Sequence, residues 1–359
     1  MHKHSEHLPR EIDTGLWGDG HLQGIALDPI KGYIYYSFTT VIVKARLSDG
    51  SIIGWAGGLF GHLGCIDFNE ENGMVYGALE YKHDSIGRGI IKRLGVCTAD
   101  EDAFYIAIFD VDRIDRPSMD ATDDKIMKTV YVPEVSDWYH GKCTSETQHS
   151  FRVCGIDGIG IGPVFGEEEN SETRLMLCSG IHLDPENNSD IEYQIILQYD
   201  WRELDKISAP LCQQKPHHTG VRCEAHYFLD IANTRWCIQN LEYDAYDRSW
   251  IACVYPGKRE GSPNLPMYII DGTAAPQKKD NPYDSEVLHL SLKQAGIYHE
   301  QTKIWGYSFH KGQEGVFAFG DGSYYFAHPY RDTEHRYGAM LRLYRRSFDS
   351  NEPFVTVEN

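Results

Sequence analysis

The residues with most chemistry to offer fall in two places along the chain. The first is a short run, Glu80-Tyr81-Lys82-His83-Asp84-Ser85-Ile86-Gly87-Arg88-Gly89. It packs carboxylates, a phenol, a histidine and two cations beside glycines that permit tight turns. There His83 or Tyr81 could move a proton, and Lys82 or Arg88 could hold an anionic group. The competing reading is a solvated charged loop. The second place is a motif that recurs five times: His21-Leu22-Gln23-Gly24-Ile25, His62-Leu63-Gly64-Cys65-Ile66, Gly155-Ile156-Asp157-Gly158-Ile159, Cys237-Ile238-Gln239-Asn240-Leu241 and Gly312-Gln313-Glu314-Gly315-Val316. Its third position holds Gln23, Gly64, Asp157, Gln239 and Glu314, and its first holds His21 and His62 in two copies.

Polar groups repeated where an apolar strand begins carry a desolvation cost unless they bind one another, water, an ion or a ligand. One reading is a water-filled polar channel. The other is a ligand or metal site built from His21, His62, Asp157 and Glu314, whose oxygen and imidazole donors suit Ca²⁺ or Mn²⁺. The catalytic candidates are therefore His62, His83, Asp157, Glu314 and Tyr81. Candidates for substrate binding are His21, Gln23, Glu80, Lys82, Arg88, His182, Gln239, Asn240 and His328.

These residues need a scaffold, and the repeat describes one. Each copy opens a strand that ends in a polar turn, such as Asp28-Pro29-Ile30-Lys31-Gly32 or Gly320-Asp321-Gly322. Second strands follow at 33–38, 74–81, 174–181, 250–255 and 324–328. Third strands follow at 41–47, 103–112, 193–201, 266–271 and 339–346. Fourth strands are expected at 51–55, 128–135, 224–231, 303–309 and 354–358. Five four-stranded meanders in one chain imply an all-β fold, a five-bladed β-propeller, with six or seven blades as the alternative. The whole chain, 1–359, reads as one domain with blades at approximately 21–58, 61–136, 153–231, 236–309 and 312–359. Either 354–358 or 11–17 would close the ring.

In such a blade the second-to-third loops and the starts of the inner strands share one face. Those loops are the long polar ones here: 82–102, 182–190, 256–265 and 329–338. Long loops gathered on one face of a rigid scaffold place the working site at that mouth. His140, Arg152, Arg331 and His335 fall on the same face.

Composition narrows the partners. A net charge of −19 opposes binding to a phosphate backbone, so no nucleic-acid partner is expected. No segment is long enough to span a bilayer as a helix, and the opening residues lack the apolar run of a signal peptide. Nine cysteines without disulfide spacing point to a reduced, cytoplasmic protein, in which the sequon at Asn187 has no role. Several tempting motifs fail on context. Gly158-Ile159-Gly160-Ile161-Gly162 lies within a strand with no helix after it, so no nucleotide cofactor is expected. Asp184 to Glu192 alternates like a calcium loop but lacks its glycine. Ser48-Asp49-Gly50 with Trp55 has the wrong spacing for a sialidase aspartate box.

The segments HLQGI (21–25), YYSFTT (35–40) and VIVK (41–44) resemble the opening blade of propeller hydrolases and lyases acting on rhamnose–glucuronate linkages. The match is confined to those residues and the enzymes have seven blades, so no catalytic residue is carried over. GIDGIGIGP, YQIILQYD and IQNLEYD resemble a bacterial propeller family of uncharacterised activity. The five-bladed architecture resembles that of furanosidases, which use three inner-strand carboxylates; here only Asp157 and Glu314 are acidic at the aligned position.

The resulting expectation is a carbohydrate-active enzyme, a glycoside hydrolase or a polysaccharide lyase, acting on a small saccharide or uronate-containing glycan at the central mouth. Hydrolysis would use Asp157 and Glu314 as its carboxyl pair. Elimination would use His or Tyr as base, with Lys82, Arg88 or a metal neutralising the uronate. The alternatives are a non-catalytic sugar-binding or interaction propeller, and a metal-dependent lactonase or phosphoesterase.

Overall fold

A computed structural model describes residues 8–140, 153–168, 171–181, 193–232, 236–279, 287–347 and 352–358. The chain forms a five-bladed propeller. Its inner strands are Leu22–Asp28, His62–Asn69, Ile159–Pro163, Ile238–Asp244 and Val316–Ala318. Each pairs antiparallel with the next strand of its own meander. Inner strands of successive blades also pack side by side, and that of the fifth returns to the first, closing the ring.

The energetics of closure lie between the blades. Five apolar clusters fill the five seams. One joins blades one and two through Tyr35, Leu63, Leu79 and Tyr105. The next joins two and three through Ile106, Ile159, Leu175 and Phe228. Three and four meet at Cys178, Ile238 and Trp250, four and five at Cys253, Val316 and Phe326, and five and one at Ile25, Tyr36, Tyr325 and Leu341. No seam lacks its cluster, so burial drives the ring shut.

The glycine run 158–162 has a packing origin. A Cβ on Gly158 would lie 2.7 Å from the Ile238 carbonyl oxygen, one on Gly160 2.4 Å from that of Leu241, and one on Gly162 2.8 Å from the Tyr243 ring. The inner strands of blades three and four approach too closely for side chains there.

Both chain ends complete blade five. Glu11–Asp13 pairs with Met340–Arg342, and Phe354–Thr356 pairs with Tyr344–Arg346 on the same outer side of strand Tyr337–Arg346. The two expected closures thus occur together. Blade four departs from the simple meander. Beyond Met267–Asp271 its edge has only single bridges, to Tyr307 and Leu292, and Ile304–Gly306 pairs with Ile297–His299 instead.

Stretches read as loop or strand also contain helices. Ser85–Leu94 is helical, with Asp84 as N-cap accepting from the Ile86 and Gly87 N–H groups and Gly95 as a left-handed C-cap. Pro133–His140 is helical where a strand to 135 was expected; the strand stops at Tyr131, two residues before Pro133. Trp201–Ile207 is a third helix, capped by Asp200. No helix among the described residues is long and apolar enough to cross a membrane.

Candidate functional site

At three inner strands the pairing register slips inside the recurring motif: between Leu22 and Gly24, Leu63 and Ile66, and Ile238 and Asn240. Such bulges bend the strand and re-aim side chains. In blade three all but the last residue of the motif precedes the strand, which starts only at Ile159. The motif is therefore where each chain segment turns from the mouth into the blade.

A pocket of about 270 Å³ opens at that mouth. Its lining includes His21, Gln23, His62, Glu80, Lys82, Asp157 and Gln239, with Tyr255 on the wall and Trp236 contributing from just ahead of its motif. Trp236 is 52% exposed and Ile86 45%, which gives the pocket an apolar rim over a polar floor.

The floor centres on an ion pair. Lys82 Nζ lies 2.5 Å from Glu80 Oε1 and 3.5 Å from Asp84 Oδ2, and it donates to the Cys154 carbonyl at 3.0 Å. Glu80 Oε2 accepts the Ile156 N–H at 3.1 Å. Burial alone would lower the lysine pKa, but the carboxylates outweigh it and hold Lys82 protonated. Burial raises Glu80, with Lys82 pulling it back toward the ionised form. We take the pair as charged at neutral pH because both carboxylates act on one short-range cation. Helix Ser85–Leu94 fixes this arrangement, since Asp84 caps it through Oδ1 and faces Lys82 with Oδ2.

Asp157 stands beside the pair and is driven toward the protonated form. Burial pushes its pKa well above the carboxylate range, and the Glu80 charge pushes it further. Its Oδ1 is buried without a hydrogen-bond partner. His62 Nδ1 is likewise unpartnered, 3.7 Å from Glu80 Oε1, and burial with the Lys82 charge drives this imidazole down to about 3. Burial also lowers His21. The floor thus holds an ion pair, a carboxyl driven toward its protonated form and imidazoles driven toward neutrality.

Two glycines make room for these carboxyls. A Cβ on Gly64 would sit 2.4 Å from Asp157 Oδ1, and one on Gly155 2.2 Å from Glu80 Oε2. Gly64 breaks the polar column of the motif because the Asp157 side chain fills its place.

No family model matches the chain, and no curated protein does. Similar solved structures are propellers. The Dos1 propeller is 7% identical, with 94% of this chain and 59% of that one covered at a TM-score of 0.33. The present chain thus spans 59% of that protein's length. The Cps50 (Swd1) β-propeller domain of Myceliophteria thermophila is 9% identical, with 89% and 83% covered at 0.32.

Other candidates stand elsewhere. Glu314 does not line the pocket; it accepts a bond from Tyr255, whose ring does, at 3.2 Å. Asn240 plugs the channel. Its Nδ2 donates to the Gln23 and Gln313 carbonyls, both at 2.9 Å, and its Oδ1 lies 3.2 Å from Cys65 Sγ. Tyr81 points away from the mouth and donates to Gln213 Oε1 at 2.7 Å. His83 is held by Asp102 at 3.0 Å, and exposed Arg88 donates to the His83 carbonyl. His328 bonds the Tyr344 hydroxyl at 2.9 Å. His182 lies outside the described residues. Among those described, no group of three or more His, Cys, Asp or Glu is arranged to hold a metal ion, so His21, His62, Asp157 and Glu314 are not gathered into one.

Proposed function

We propose that the protein is a carbohydrate-active enzyme working at this mouth by general acid catalysis, with Asp157 as proton donor to a glycosidic oxygen. The observation that carries this reading is Asp157 itself. It is a carboxyl that burial drives toward its protonated form, with an unpartnered oxygen, among the side chains lining an open polar pocket. Environments that push neighbouring carboxyls into different protonation states separate acid from base. Glu80, kept ionised by Lys82, is the carboxylate paired with Asp157, in the place first expected for Glu314. Gln23 and Gln239 offer amides to sugar hydroxyls, and Trp236 offers an apolar face at the rim.

Lys82 is already engaged by Glu80 and Asp84, and Arg88 by a backbone carbonyl. Lys82, the cation lining the pocket, is therefore held by two carboxylates, which supports hydrolysis over lyase chemistry. The eight described cysteines are all free thiols, which supports a cytoplasmic setting.

The test is incubation with neutral glycosides and uronate-containing glycans, reading new reducing ends and near-ultraviolet absorbance separately. Reducing ends without a chromophore are expected, and Asp157→Asn should lower kcat by about 10²–10⁴-fold while ligand still binds. Since the acid form is the active one, kcat/KM should fall as pH rises through the elevated Asp157 pKa. A chromophore would establish the lyase instead, and saturable binding without turnover a non-catalytic propeller. Unchanged turnover in Asp157→Asn would remove Asp157 from the chemistry.

A further inference from the structure

The plug formed by Asn240 and Cys65 divides the channel, and the opposite mouth holds a second pocket of about 410 Å³. It lies where the inner strands end. Asp67 and Glu242 line it, together with Phe68, Tyr243, Phe317 and Phe319, and no lysine, arginine or histidine does. Asp67 and Glu242 occupy one column of the recurring motif, with Ala26, Gly160 and Phe317 in the other blades. The aromatic rings are only part-buried, so their surfaces reach the pocket.

The two carboxyls differ in how they are satisfied. Asp67 accepts the Phe68 and Ile161 N–H groups, one on each oxygen, both at 2.7 Å. Glu242, only 8% exposed, spends Oε1 on the Ala318 N–H at 2.8 Å and has no partner among the described residues for Oε2. Burial and the neighbouring Asp67 push the Glu242 pKa up, so this carboxyl ionises readily only when a cation in the pocket supplies the counter-charge. An inorganic divalent ion is poorly served here. Ca²⁺ takes six to eight oxygens. Asn69, Glu70, Glu71 and Thr173 also line the pocket, but among the described residues no three carboxylates are arranged to hold an ion, and Glu71 is already engaged by Arg202 at 2.9 Å and Thr173 at 2.8 Å. An organic cation is served on both counts, because aromatic faces attract alkylammonium groups and a carboxylate neutralises them.

We propose that this mouth binds an alkylammonium head group, seated among Phe68, Tyr243, Phe317 and Phe319 with Glu242 as its counter-ion. This goes beyond the activity proposed for the other mouth, which shares no lining residue with it. The same head group could belong to a small free amine or to a methylated lysine side chain.

Titration calorimetry with the full chain separates these cases. The probes are choline, its neutral isostere 3,3-dimethylbutan-1-ol, and N-acetyl-trimethyllysine methylamide. Choline or the lysine mimic should bind saturably, and the better of the two identifies the source. The isostere should bind at least tenfold more weakly, the mark of charge recognition. Glu242→Gln should weaken binding at least tenfold, and Phe319→Leu should weaken it too, as an independent check should the first variant fold poorly. Asp157→Asn, at the other mouth, should leave the affinity unchanged while lowering turnover, so the two proposals fail separately. The proposal is overturned if neither cation binds, if the isostere matches choline, or if folded Glu242→Gln keeps wild-type affinity.

Discussion

Asp157 and Asp67 sit toward opposite ends of one channel, and burial drives both carboxyls toward the neutral form. At Asp157 the retained proton is the proposed working group. At the far mouth burial pushes Asp67 up to about 7, and Glu242 is raised by its own burial and by the Asp67 charge. The consequence for stability has a definite sign. Well below pH 4 folded and unfolded states both hold these protons, so neither carboxyl affects the balance. Above that the unfolded chain releases protons that the folded chain retains, so stability falls as pH rises, levelling off above the folded pKa values. Glu242→Gln removes one carboxyl and keeps an acceptor for the Ala318 N–H. Urea denaturation should show the variant more stable than wild type at pH 8, with the gain shrinking as pH falls and vanishing below pH 4. A gain that did not change with pH would mean that packing, not ionisation, is responsible.

At the scale of the element, the inner strand of blade three is the most constrained piece of chain. Gly160 faces the Leu241 carbonyl and the Trp250 ring at 2.4 and 3.0 Å from where a Cβ would stand. Gly160→Ala must push the two inner strands apart, and overpacking of this kind costs about 1–3 kcal/mol. Scanning calorimetry should show a lowered Tm, whereas Gly89→Ala on the exposed helix face, with nothing within 4 Å, should not lower it. These glycines also show how far the sequence could be read. Alternation of apolar residues and polar turns makes strands legible, and a fivefold motif makes the ring legible, because both are local patterns. Helix Ser85–Leu94 was legible in principle through Asp84, the basic pair Lys92 and Arg93, and Gly95, but polar content reads first as loop. The pairing of Glu80 with Asp157 was not, because it joins the end of a second strand in blade two to the start of blade three. The same holds for Trp236 and Tyr255 in the wall, and for Asn240, whose amide is consumed in bonding to three other blades. Asp67 and Glu242 did share a motif column, yet attention to the strand starts passes over positions near their ends.

At the scale of the whole molecule, a propeller must protect the outer edge of every blade, since an unpaired edge invites association with another chain. Here cover is borrowed from the next blade along the chain. Met119–Asp120 pairs with the outer strand of blade one. Ala209 and Gly220 bridge to that of blade two, and Leu288–His289 lies parallel to that of blade three. Blade five has no successor, so the two chain ends cover its outer side. The Leu343 N–H donates to the Arg10 carbonyl, and the Leu343 carbonyl accepts from Val357, so the two segments meet at one residue. The N-terminal clasp is short and anchored by one buried side chain, Ile12 at 2% exposure. Removing most of that side chain should cost about 2–5 kcal/mol if lost from a rigid core. A three-residue edge strand can instead open alone, before the ring does. Ile12→Ala should therefore act locally. In hydrogen exchange the Ala339 and Leu343 amides, which bond Thr14 and Arg10, should lose protection, while the Cys178 amide, bonded to Gly158 across blade three, keeps its own. Equal loss at all three sites would mean that the clasp opens only with the entire ring, making the N-terminal strand part of the same cooperative unit as the channel and both its mouths.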